Sequence, residues 1–95
     1  MYQILVLEDE WCKWPNKNLQ NRIGEQIIQG VNSFEACAEK CDIDSNCHEI
    51  LWHHENAGQW SYECVLMSGH TGDFNVDNNV IFGDKCNKTG RFFYI

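Results

Sequence analysis

The sequence predicts an α+β domain, with a single α-helix packed on an antiparallel β-sheet of about five strands and stapled by disulfides. Three observations carry this reading. The stretch from Asn32 to Cys47 has both the start and the stop chemistry of a helix. The other apolar runs are short and rich in β-branched and aromatic residues. Six cysteines in 95 residues supply the cross-links that small extracellular domains commonly need.

The helix comes first because the rest is arranged around it. Asn32 and Ser33 are both good N-cap residues. With Asn32 as cap, Glu35 falls at the third helical position, which predicts a capping box and puts negative charge at the positive end of the dipole. Ala36, Ala38, Glu39 and Lys40 favour helix, whereas Asp42, Asp44, Ser45 and Asn46 favour leaving it. The expected length is about ten residues. Cys37 and Cys41, four apart, project from one face.

Along the chain, residues 2–7 (Tyr2-Gln3-Ile4-Leu5-Val6-Leu7) read as a strand buried on at least one face. Pro15 and the Asn/Lys-rich 16–18 mark a loop. Arg22 to Ile28 reads as a second strand with Gly24 as a bulge. Cys47 to His53 reads as a strand, Glu55 to Gln59 as its turn, and Trp60 to Leu66 as the returning strand. Clean alternation there places Trp60, Tyr62, Cys64 and Leu66 on one face. Residues 68–79 are rich in Gly, Asp and Asn, which predicts a long surface loop anchored by Phe74 and Val76. Val80 to Phe82 and Arg91 to Ile95 complete the strands.

The totals narrow the function. Fourteen acidic against seven basic residues give a net charge of −7, a surface that repels nucleic acid, heparin-like polyanions and anionic membranes. No run approaches the ~20 apolar residues of a membrane span, so no membrane insertion is expected. An even set of irregularly spaced cysteines in a short chain points to three disulfides and an oxidising compartment, secreted or extracellular.

The run Ser33-x3-Cys37-x3-Cys41-x5-Cys47, followed by a strand, a turn and Cys64-Val65-Leu66, resembles the PAN/apple domain family. Cys12 and Cys86 resemble the outer pair of its six-cysteine version, and Gly90-Arg91-Phe92 its closing strand. The resemblance implies a single domain over residues 1–95, with its core at 12–95 and an extra N-terminal strand at 2–7. It also implies a helix cradled by a curved antiparallel sheet. The pairings Cys12–Cys86, Cys37–Cys64 and Cys41–Cys47 are likewise what the resemblance implies, since spacing alone leaves the connectivity open.

No catalytic set accompanies this scaffold. The cysteines are not in paired zinc spacing, so no metal and no cofactor is expected. Asp42-Ile43-Asp44-Ser45-Asn46 begins like a calcium loop but has Cys47 where a glycine is required, and reads as a polar helix stop. His53-His54-Glu55 lacks a nucleophile or HExxH spacing and reads as solvated turn. Trp11-Cys12-Lys13-Trp14 has the two-tryptophan spacing of a C-mannosylation signal and reads rather as packing around the Cys12 disulfide. Asn87-Lys88-Thr89 is an N-glycosylation sequon expected in a loop, with Asn87 the acceptor.

The expected role, implied by the resemblance, is a non-catalytic extracellular module that recognises a protein or a glycan. The alternative is a structural, self-associating module of an adhesive or multi-domain surface protein. Trp52, His53, His54, Trp60 and the 68–79 loop are the candidate ligand-binding residues, and a protein partner would be basic. The sequence does not fix the oligomeric state.

Overall fold

The structure, a computed structural model, describes the backbone of residues 3–94 and the side chains of residues 11–86. In chain order the elements are β1 (Gln3–Asn18), β2 (Asn21–Ile23), β3 (Gln26–Ile28), α1 (Phe34–Asp42), β4 (Glu49–His53), β5 (Cys64–Met67), β6 (Gly69–Thr71) and β7 (Asn75–Tyr94). A single 3-10 turn at Gly58–Trp60 separates β4 from β5. The main sheet has five strands in the order β1-β7-β4-β5-β3, all pairings antiparallel, and β2 and β6 form a separate two-stranded sheet. One helix on an antiparallel five-stranded sheet is the α+β architecture that the sequence predicts.

The helix is capped one residue later than the capping-box reading required. Ser33, in extended conformation, accepts from the Ala36 backbone N–H through its Oγ at 3.0 Å. Glu35 is therefore at the second helical position, and it turns outward to Lys13 Nζ at 2.8 Å. Phe34, Cys37, Ala38 and Cys41 form the buried stripe, spaced as one face of a helix. They pack with Val31, Ile50, Trp52, Cys64 and Leu66 on one face of the sheet. Leu51, Val65, Met67, Val80 and Phe82 emerge on the other face, because neighbouring residues of a strand alternate, and Leu19 covers them. The sheet thus has an apolar layer on each side.

Three disulfides hold these layers. Cys37–Cys64 ties the helix to β5, Cys41–Cys47 closes the turn from helix to β4, and Cys12–Cys86 links β1 to β7. The last closes the longest loop, with a sequence separation of 74. In the chain-entropy account such a closure stabilises by roughly 4 kcal/mol.

Several local expectations are corrected. Residues 15–18 are not a loop: β1 runs through them, with Pro15 opposite Ile81 and a register shift at Pro15/Lys17, where Asn16 has φ 64°. An edge strand tolerates both a proline and a bulge, since its outer N–H groups need no partner. The expected strand over 22–28 is two strands in different sheets, parted at Gly24 (φ +66°), where a Cβ would lie 2.7 Å from Ser68 Oγ. The strand expected from Trp60 begins only at Cys64, because Trp60 ends the 3-10 turn and Tyr62 is left-handed (φ 64°). The 68–79 loop contains β6 and the start of β7, and Val76 is exposed at 87% rather than an anchor. The two expected C-terminal strands are one strand, β7, paired along much of its length with β1, and Ile95 lies outside the described residues. Of the expected strand over 2–7, Tyr2 lies outside the described residues, and the rest is the beginning of β1.

Candidate functional site

The residues expected at the ligand site do not share one surface. Trp52 is buried on the helix side, and its indole N–H donates to the Val31 carbonyl oxygen at 2.7 Å. His53 points the other way and is also buried, at 6% exposure. Its backbone N–H donates to Glu63 O and its carbonyl accepts from Tyr62 N. Desolvation pulls its imidazole below the ordinary value of 6.5. It is an interior residue and not part of a solvated turn. His54 is half-buried, with Nε2 2.9 Å from Asn78 O. Trp60 is the one clearly open ring of the four, at 53% exposure. Strand alternation puts Trp52 and His53 on opposite faces and so divides the set.

A different cluster gathers on the face away from the helix. Phe82 of β7, 3% exposed, is its floor. Around it stand Trp14 of β1 (centroids 5.5 Å apart), Phe74 (4.8 Å, ring planes at 66°) and His70 of β6 (5.9 Å, nearly perpendicular). Trp14 and Phe74 keep 36% and 38% of their surface exposed. Together with Lys17, Glu49 and Asp84 these residues line a cleft of about 330 Å³.

Each wall has a local cause. Trp11 and Trp14, three apart on one strand, face opposite ways. Trp11 meets Phe34 edge-on at 6.2 Å beside the helix, while Trp14 stands opposite Phe82. The two tryptophans therefore do not pack together around the Cys12 disulfide. The β2–β6 pair, with Ser68 N and Oγ both donating to Ile23 O, fixes the segment that carries His70. His70 Nδ1 then donates to Glu49 Oε1 at 2.8 Å, because a carboxylate can only accept from an imidazole N–H. Lys17 places its ammonium 5.1 Å from the Phe74 ring centroid.

The cleft offers aromatic faces, two carboxylates, an imidazole and an ammonium group. Among the described residues no group of three His, Cys, Asp or Glu is placed to hold a metal ion. Asp44, in the calcium-like run, uses its Oδ1 to accept from Asn46 N. Asn87 lies within β7, opposite Glu10, and not in the expected loop; its side chain is outside the described residues. The cleft was hidden from sequence reasoning because its lining comes from positions 14 to 84 with no common period. The 68–79 loop, singled out from composition, does contribute His70 and Phe74.

The framework is therefore a helix disulfide-bonded to a five-stranded antiparallel sheet, with a half-open aromatic cleft on the far face. The chain belongs to the PAN domain family, whose model matches residues 11–88. PAN domains bind proteins or carbohydrates and are in general non-catalytic. No curated protein and no solved structure matches the chain. Three disulfides fit an oxidising, extracellular compartment. Among the described residues no helix is long and apolar enough to cross a membrane.

Proposed function

We propose that this chain is a non-catalytic extracellular recognition module and that its ligand, a protein or a glycan, sits in the cleft of Trp14, His70, Phe74 and Phe82. The observation that carries the reading is the half-exposure of Trp14 and Phe74 over a fully packed Phe82. Aromatic rings left partly open beside oriented polar groups are the composition of a binding site. The residues 1–95 act as one unit in this reading.

The test is a panel of immobilised glycans and extracellular proteins, probed with the wild-type chain, Phe74→Ala and Trp60→Ala. Loss of the captured ligand in Phe74→Ala, with retention in Trp60→Ala, is the expected result. The reverse pattern places the site at the 3-10 turn and refutes the cleft.

A second reading, self-association, is favoured by a separate observation. Ile43 (88% exposed) and Ile27 (48%) leave apolar surface near the C-terminal end of α1 and on edge strand β3. Sedimentation that depends on concentration, and that Ile43→Ser abolishes, supports it; a monomer at all concentrations refutes it.

A further inference from the structure

The cleft has a charged end. Glu49 and Asp84 are partners across β4 and β7, so they stand side by side on the cleft face of the sheet, about 5 Å apart at Cβ. Glu49 is bonded to His70, and its side chain keeps 12% of its surface exposed. The Asp84 carboxylate, half-buried, takes part in no hydrogen bond or ion pair among the described residues. A carboxylate in that state is costly to desolvate unless a cation joins it. The walls beside it are π faces, whose negative quadrupole also attracts cations. One cation already uses such a face: the Lys17 ammonium lies over Phe74, with no carboxylate partner among the described residues.

We infer that the cleft receives a basic side chain, arginine in preference to lysine, from a protein partner. Planar guanidinium stacks on aromatic rings and grips a carboxylate with two parallel hydrogen bonds, which an ammonium cannot do. In this arrangement the guanidinium lies between Trp14 and Phe74 and meets Asp84. A cleft of about 330 Å³ is near the lower end of ligand-site volumes and suits one inserted side chain. The chain's net charge of −7 steers a basic partner toward it. Lys17 is the resident competitor, and removing its charge strengthens capture. An anionic ligand would require the opposite. The inference rests on the cleft being the ligand site and adds the identity of what enters it.

The test titrates the isotope-labelled 95-residue chain with three probes, following the Trp14 indole and the Phe74 and Asp84 amides by NMR. The probes are a short blocked peptide with one arginine, the same peptide with citrulline, and methyl galactoside. Citrulline keeps the shape of arginine and lacks its charge. The arginine peptide is expected to shift all three signals saturably, with the citrulline peptide at least about tenfold weaker. Asp84→Asn weakens the arginine peptide by a similar factor, and Lys17→Met tightens it. Equal binding of the citrulline peptide, or weaker binding by Lys17→Met, overturns the inference. Shifts with the galactoside and none with the arginine peptide also overturn it, while leaving the cleft as the ligand site. If none of the probes moves these signals and a ligand from the panel moves the Trp60 indole instead, both readings fall.

Discussion

The Trp52 indole N–H donates to the Val31 carbonyl oxygen at 2.7 Å, while the Val31 N–H donates to Tyr62 O at 2.8 Å. The segment entering the helix is thus held from both sides, once by β4 and once by the chain leading to β5. Trp52 is a structural tie. Replacing it with Phe removes the donor, leaves a buried carbonyl unsatisfied and opens space, so Trp52→Phe should cost about 1–3 kcal/mol in urea unfolding. Ligand capture by the folded fraction should be unchanged, and a lost ligand with unchanged stability would return Trp52 to the binding site.

Lys85 does the same work at the other end of the helix. Its side chain is only 5% exposed, and Nζ donates to Cys41 O at 3.1 Å and Cys47 O at 3.0 Å. A cation at a helix C-terminus also opposes the dipole. Lys85→Met keeps the length and loses the donors, and should cost on the order of 3 kcal/mol. Thermal unfolding checks this, and an unchanged midpoint would deny the lysine its role.

Gly83 makes room for Phe34. A Cβ on Gly83 would sit 2.6 Å from Phe34 Cζ and 2.9 Å from Ile50 Cγ1, both in the packed core. Gly83→Ala should therefore destabilise by about 1–3 kcal/mol through overpacking. Phe34→Leu in the same chain should recover part of the loss, measured as coupling in a double-mutant cycle.

His53 sets a pH dependence. Burial lowers its folded-state value below 6.5, so the unfolded chain takes up the proton first as pH falls. Stability attributable to His53 is complete above pH 6.5 and declines below it, until the lowered folded value is passed. His53→Gln should flatten the slope of unfolding free energy against pH in that window. A slope identical to wild type would contradict the burial argument.

How much of this was legible depends on where each residue's partner lies. The helix and the β4–β5 hairpin were readable because capping, period and β-branched runs are local signals. Pro15 and the polar stretches 75–79 and 83–90 read as breaks. The strand conformation of Pro15, of 75–76 and of most of 83–90 comes instead from the long β1–β7 ladder, which skips 77–79 at the Pro15/Lys17 register shift, a pairing that no local pattern announces. Trp60 and Tyr62 alternate with Cys64 as a strand would, yet the left-handed Tyr62 takes them out of the sheet. The cleft needed the register itself: only once Trp14 stands opposite Phe82, and Glu49 opposite Asp84, do its walls meet.

A crystal structure of the chain with the ligand that the binding panel returns tests the central claim most directly. The account predicts ligand density between Trp14 and Phe74 with a polar contact to Glu49 or Asp84. Density against Trp60, or against Ile43 at the end of α1 and Ile27 of β3, with the cleft closed to it, would contradict the account.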